Sequence, residues 1–435
     1  MKKFLCISIS LLILSSYTVY AADNSEMLRV GISYGTDAVS QCSLESSAGF
    51  LIGIDDNRVF SEQMKYGEAA INVTMSTEGV CTYGNDTFDT NSGQRLTFMA
   101  ADGGLVRVNG KEYRGGIEIL NAGGGKMAVI NLISPDDYIK GVIGREMSSS
   151  WHIEALKAQA VCARNYAISN KGKHNAAGFD VCPTVHCQVY GGVAAEAAST
   201  IRASDETKGR YLMYNGALAD TLFFSCDGGH TSTAKYVWGN DVPYLRGVED
   251  IYENPSEATR YNWSTTLTTA EIEAKLLANG VNIGKVTAVT ATAEPTTGQV
   301  YKLTITGTTG TKEYTNDGTR TWAGSATLFS QRYTVTPVSA DASAGTTAIT
   351  SAGKEPLAEF MAIFTGGKAE FAYPFIVRSA AGNSTVNQTA LAYRFDGHGW
   401  GHGLGMSQYG AKAMADRGFG YEQILAFYYP GTNLQ

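Results

Sequence analysis

The chain has 435 residues, 44% of them hydrophobic and 17% charged, and a formal net charge of -7. That balance excludes a disordered polymer and leaves room for two or three domains. It also excludes nucleic acid as a partner, because phosphate recognition needs clustered Lys and Arg and no basic block follows the first few residues.

The chain opens with Met1-Lys2-Lys3, an apolar run FLCISISLLILSSYTV, and Val19-Tyr20-Ala21, which fits the small-x-Ala rule of secretory cleavage. Residues 1–21 read as a signal peptide or, if uncleaved, as a membrane anchor. In either case the bulk of the chain is expected to be extracytoplasmic, secreted or tethered to the outer face of the cell membrane. Loss of Cys6 with the signal leaves Cys42, Cys81, Cys162, Cys182, Cys187 and Cys226, an even set that suits disulfides.

Residues 28–133 read as β-rich. LRVGISY, AAINVTM, LVRVNG, IEIL and MAVINLI are short and β-branched, with turns at Asp102-Gly103-Gly104 and Asn109-Gly110. Such strands need a second layer to cover them. Residues 134–261 read as a helical core containing a Cys/His segment. After an apolar, strand-like run comes GREMSSSWHIEALKAQAVCARNYAISN, whose serines at 148–150 offer N-cap oxygens and whose helix stops near Gly172. Leu156, Ala160, Ala163 and Ala167 form a stripe of mostly small residues, with Lys157 and Arg164 two turns apart on its flank.

Glu146 is placed by this reading in a short loop ahead of that helix. Met147 and Trp151 nearby favour the protonated form that a general acid needs, while the following helix dipole favours the carboxylate. The plainer alternative is a pairing with Arg145 or a helix cap. Downstream, HNAAGFDVCPTVHCQVYGG offers His174, Cys182, His186 and Cys187, soft donors suited to Zn²⁺; a disulfide is the equal alternative. In FFSCDGGHT, Ser225 lacks the flanking glycines of a nucleophile elbow, so it reads as a hydroxyl lining a site.

Residues 262–340 read as a β-rich lobe: a short helix TTAEIEAKLLANG, then strands KVTAVTATA, QVYKLTITG and RYTVTP. The small, polar stretch SADASAGTTAITSAGK then reads as a loop. Residues 341–435 carry the glycine-rich segment FDGHGWGHGLGMSQYGA and a final helix with Ser407 as N-cap and Gly418 as stop. A strand-like or looped backbone there would put His398 and His402 on one face. With Trp400, Gln408 and Tyr409 they would make a carbohydrate-contacting wall, the glycines letting a ligand or another backbone approach. Tight packing of a glycine-rich core is the competing reading.

The motifs DDYIKGVIGREM, SSSWHIEALKAQAVCARNYA, CQVYGG, SCDGGHT, VPYLRGV and GHGWGHGLGMSQYGAKAMADRGFGYEQILAFYYPGTNL occur in the order of the stage II sporulation protein D / amidase-enhancer family, which the chain resembles from about Leu28 to its last residue. The resemblance implies a lytic transglycosylase acting on peptidoglycan glycan strands, preferably those freed of stem peptides, with a cell-wall amidase as partner. It implies Glu146 as the catalytic acid and Lys157, Arg164, Ser225 and Tyr409 as matching site residues; His402 and Gln408 join them from the wall reading. Zinc is implied at His174, Cys182 and Cys187, with His186 adjacent, although the reaction itself requires no cofactor. A non-catalytic, wall-binding amidase enhancer is the rival function. Ser148 stands where the family usually has Pro, and Asn165 where it usually has Thr. The expected architecture is α+β, with mixed helices and antiparallel sheets in two lobes about a central substrate cleft and a mainly-β insertion lobe.

Overall fold

A computed structural model describes residues 21–23, 27–56, 59–338, 347–350, 353–356, 375–379, 382–386 and 390–435. The signal or anchor expected at 1–21 lies almost wholly outside these residues, as does most of the loop expected after 338. The fold is α+β, with eight helices among the described residues: α1 (Pro135–Glu146), α2 (Ile153–Ser169), α3 (Ala198–Glu206), α4 (Ala234–Trp238), α5 (Thr269–Ala278), α6 (Gly318–Thr321), α7 (Gln408–Asp416) and α8 (Tyr421–Tyr428). Among the described residues no helix is long and apolar enough to cross a membrane. Two units are present, Met1–Ser149 with Ala167–Gly209 and Ser150–Tyr166 with Arg210–Gln435.

In the first unit two antiparallel sheets supply one another's second layer. Seven strands run in the order Ala21–Asp23, Val59–Tyr66, Phe50–Asp56, Arg95–Ala100, Gly116–Gly123, Lys126–Ile133 and Leu28–Ser33; six more are centred on Gln41–Glu45 and Ala70–Met75. Alternation drives this. In Ala70–Met75 every second residue is buried, so Ile71, Val73 and Met75 meet Phe50, Phe98 and Ile117 of the larger sheet. The Asn109-Gly110 turn holds both residues at positive φ, 47° and 83°, and pairs Val106–Val108 with Lys111–Tyr113.

The run before Glu146, expected to be strand-like, is helix α1. Ser134 caps it by accepting from the Asp137 N–H at 3.1 Å, Pro135 opens it, and Asp136 and Asp137 fill its first turn. Gly141 and Gly144 let the 190–195 segment press against it; a Cβ on Gly144 would lie 2.2 Å from the Ala195 carbonyl oxygen. Ser204 of α3 donates to the Asp136 carbonyl at 2.7 Å, and Arg114 clamps Glu196 through two hydrogen bonds of 2.7 and 2.8 Å.

In the second unit α2 buries Leu156, Ala160 and Ala163 as its small-residue stripe predicts. The His152 ring nitrogen Nδ1 accepts from the Glu154 N–H at 3.2 Å, and Ser148, Ser149 and Ser150 are exposed. Asn165 is buried and saturates a neighbouring strand: its amide donates to the Leu212 and Ala219 carbonyls and accepts from the Leu212 N–H. The strands expected after residue 262 are present at Val286–Ala293, Val300–Gly307 and Tyr333–Val338. Strand Ala392–His398, leading into the glycine-rich segment, is the centre of a sheet between Asn262–Thr268 and Tyr333–Val338.

Candidate functional site

The glycine-rich segment is not a strand beyond His398. Gly399, Gly401, Gly403 and Gly405 all adopt positive φ, at 83°, 124°, 82° and 75°, conformations that side chains rarely tolerate. The bare backbone lies against Leu222–Ser232. Cys226 and Trp400 exchange backbone hydrogen bonds of 3.2 and 2.7 Å, Ser232 N–H donates to the Gly403 carbonyl at 2.6 Å, and Phe223–Phe224 pairs in parallel with Met406–Ser407. A Cβ on Gly401 would meet Phe224 at 2.7 Å, on Gly403 Ser232 Oγ at 2.3 Å, and on Gly405 the Leu222 carbonyl at 2.1 Å. These contacts carry the packing reading of the glycines.

Alternation therefore fails for the two histidines. His398 is exposed and meets Asn262 at 2.8 Å, whereas His402 turns inward beside Phe224, its ring 5.5 Å away. Burial and the nearby Arg320 guanidinium push the His402 imidazolium pKa down to about 4, and its Nδ1 accepts from the Leu404 N–H at 3.0 Å. Trp400 keeps 43% of its surface exposed, an aromatic face of the kind a sugar stacks on.

The same packing fixes the next residues. Ser407 caps α7, accepting from the Gly410 N–H at 3.1 Å. Tyr409, half-buried, donates its N–H to the Ser225 carbonyl at 3.1 Å and sets its ring 5.0 Å from Trp151. Gln408 is buried and meets Gln159 of α2 at 3.5 Å. Ser225, Gln408 and Tyr409 thus come together with the start of α2. On that helix Lys157 is partly exposed, bonded to Glu154 at 2.7 Å and lying over the Tyr421 ring at 5.8 Å; Glu154 in turn accepts from the Tyr421 N–H at 2.9 Å. Arg164 differs from the flanking position expected of it. It is fully buried, and its guanidinium donates to the Arg210 carbonyl at 3.2 Å.

In the first unit Glu146 is the last residue of α1, half-buried between exposed Arg145 and buried Met147. It stands there rather than in a loop, beside the negative end of that helix's dipole, and α2 follows at Ile153.

The Cys/His segment belongs to the same unit. His174, Cys182, His186 and Cys187 bring four donor atoms within 4.8 Å of one another. Cys187 Sγ lies 3.4 Å from His174 Nε2 and 3.7 Å from His186 Nδ1, and Cys182 Sγ is 3.7 Å from the same nitrogen. A tetrahedron built on Zn–S of about 2.3 Å and Zn–N of about 2.0–2.1 Å has edges of about 3.4–3.8 Å, so the donor set fits zinc. The six described cysteines are unbridged. Burial opposes ionisation of Cys182, yet hydrogen bonds from Thr184 and His186 outweigh it and bring the thiol down to about 6; burial raises Cys187 to about 11.

The loop is tied down by charge. Asp180 accepts from the Arg29 N–H at 2.9 Å, while the Arg29 guanidinium spans Glu118 at 2.7 Å and Asp55 at 2.6 Å. Arg95 reaches Glu118 at 3.2 Å and the Gly178 carbonyl at 2.6 Å. Burial favours the protonated form of Glu118, opposed by both guanidinium groups. Sequence reasoning missed this network because its members are scattered through strands; alternation with charge at inward positions was the only signal.

A second cluster was also missed: Asp227, Asp250 and Glu253 are buried together in the second unit. Its signal was faint, two of the three acids in GVEDIYENP and one in the SCDGG turn.

Residues 123–214, which include Glu146, Lys157, Arg164 and the Cys/His segment, match the family described as stage II sporulation protein. The chain is similar to a Bacillus subtilis protein named amidase enhancer, with 32% identity over 316 residues covering 68% of this chain and 40% of that one. It is 30% identical over 340 residues to an uncharacterised protein of Brachyspira hyodysenteriae, covering 78% and 76% of the two chains. Against the Bacillus subtilis stage II sporulation protein D the identity is 28% over 318 residues, covering 69% and 74%. The chain spans less than half the length of the amidase enhancer it matches.

Proposed function

The chain belongs to the stage II sporulation protein D family, and on that premise we propose that it is a peptidoglycan lytic transglycosylase. The observation that carries the reading is Glu146, a half-buried carboxyl at the end of α1 inside the family-matched segment. Hydrolysis of a glycoside ordinarily takes two carboxyl groups. One suffices when the nucleophile is the sugar's own hydroxyl. Glu146 gives its proton to the glycosidic oxygen as that oxygen leaves C1 of N-acetylmuramic acid. The resulting carboxylate takes the proton of the C6 hydroxyl, whose oxygen bonds C1 and closes a 1,6-anhydro ring. No water is consumed and Glu146 ends protonated, as it began. Tethering replaces an activated water, which is worth a large effective molarity.

The wall formed by Ser225, Gln408 and Tyr409, with Trp400's exposed face and Lys157, supplies the sugar contacts in this reading. His402 and Arg164 support this wall from within, the one beside Phe224 and the other through a guanidinium bonded to the Arg210 carbonyl. Zinc at His174, Cys182, His186 and Cys187 is a structural ion that fastens the loop after α2, since all four donors are protein side chains. The setting is extracytoplasmic, in sporulation or wall remodelling, on glycan strands that an amidase has stripped. A second reading, a non-catalytic enhancer that binds the wall and stimulates an amidase, takes its support from the name of one relative. Purified, stem-peptide-free strands incubated with the chain alone decide between them. Fragments ending in anhydro-sugar support the enzyme; intact strands with a stimulated amidase support the enhancer.

A further inference from the structure

Asp227, Asp250 and Glu253 are 2%, 3% and 4% exposed, and their carboxylate oxygens lie within 4.8 Å of one another. Their neutral partners are already assigned. Glu253 Oε2 accepts from the Asp227 N–H at 2.9 Å and the Ser407 hydroxyl at 2.7 Å. Asp250 accepts from the Tyr252 and Glu253 N–H groups and from the Tyr428 hydroxyl. Asp227 Oδ1 accepts from the Gly229 N–H at 2.7 Å, but Asp227 Oδ2 is buried and meets no donor. The nearby Arg332 guanidinium does not reach it, donating instead to the Asp227, His230 and Thr297 carbonyls.

Three buried carboxylates facing the one charge of Arg332 keep a net negative charge that burial makes costly, and without a bound cation burial and mutual repulsion favour the protonated forms of Asp227 and Glu253. The donors are all oxygen, with no sulfur or imidazole among them, which selects a hard cation over zinc. Ca–O bonds of about 2.3–2.6 Å span oxygens up to about 4.6–5.2 Å apart, which covers the spacing here. We propose that Asp227, Asp250 and Glu253 hold a divalent cation of the calcium class, with Asp227 Oδ2, buried and facing only the other acids of the cluster rather than a neutral donor, as one of its ligands. The ion would join the SCDGG turn to Ser407 at the cap of α7 and, through Tyr428, to α8. Gly410 completes the packing, since a Cβ there would strike Asp250 and Tyr428. The ion is thus a fastening for the wall that carries Ser225, Gln408 and Tyr409, distinct from the zinc donors of the other unit.

The test is made on the whole chain, unfolded and refolded in chelator so that the buried site is emptied. Calcium chloride and magnesium chloride are then titrated while thermal unfolding is followed at fixed pH, and retained calcium is measured after gel filtration. The expected result is a saturable rise in Tm with calcium, with calcium retained by the wild type and lost to background in Asp227→Asn. Glu253→Gln, likewise isosteric, serves as the second variant should Asp227→Asn not fold. A Tm indifferent to both cations, or calcium retention unchanged in the variants, overturns the proposal. So does a Tm that responds only to pH, which would mean that the cluster is held together by a shared proton.

Discussion

The Trp151 ring lies 5.0 Å from the Tyr409 ring, tilted by 58°. One residue precedes α2 and the other lies in the first turn of α7, and the Tyr409 N–H is bonded to the Ser225 carbonyl. Two aromatic planes and a hydroxyl-bearing turn, each read separately along the chain, are therefore neighbours. Tyr409→Phe keeps the ring contact and loses only the phenol. It is expected to leave the unfolding free energy within about 0.5 kcal/mol of wild type while raising KM for glycan strands. Tyr409→Ala is expected to lose both stability and activity, and an unchanged KM in the Phe variant would remove the phenol from the site.

The glycines at 401 and 403 are expected to matter for folding. Each combines positive φ with a Cβ position already occupied by Phe224 or Ser232. Gly401→Ala and Gly403→Ala should each cost about 1–3 kcal/mol of stability. Chemical denaturation checks this, and wild-type stability with lost activity would return these glycines to a direct substrate role.

His402 gives the protein a pH dependence of defined sign. Its pKa of about 4 in the fold lies below the ordinary histidine value of about 6.5. Between those two pH values the unfolded chain binds the proton first, so stability falls as pH falls from about 6.5 to about 4 and is unaffected above. His402→Asn retains an acceptor for the Leu404 N–H without titrating in that range. The difference in Tm between pH 7 and pH 5 should shrink in this variant, at about the range where an imidazole titrates.

Zinc at the Cys/His segment predicts about one ion per chain in wild type and loss of it in Cys187→Ser. Tm is expected to fall with the metal, while kcat per folded molecule holds. A disulfide between Cys182 and Cys187, found by mass before and after reduction, would instead carry the competing reading.

Much of the fold was legible because it rests on local patterns. The inward positions of Ala70–Met75, the stripe of α2, and Ser407 and Gly418 at the ends of α7 all follow from period and capping. Helix α1 was misread because Tyr138, Ile139, Val142 and Ile143 resemble a buried strand when taken alone. The Ser134-Pro135-Asp136-Asp137 start was the stronger signal. The strands Phe50–Asp56 and Arg95–Ala100 went unread because charged Asp55 and Arg95 sit where apolar residues were sought. Their meaning comes from Arg29 and Glu118, far away in the chain. The inward turn of His402 was equally hidden, since parity means nothing once alternate glycines adopt positive φ.

The central claim is that Glu146 alone shuttles the proton for an internal ring closure. The direct measurement is the mass of fragments released from stem-peptide-free glycan strands in heavy-oxygen water by wild type and by Glu146→Gln, with thermal unfolding confirming that both are folded. The account predicts wild-type ends lighter by one water than reducing ends and free of heavy oxygen, and no fragments from the variant. Heavy oxygen in the new ends, or equal cleavage by Glu146→Gln, would contradict it.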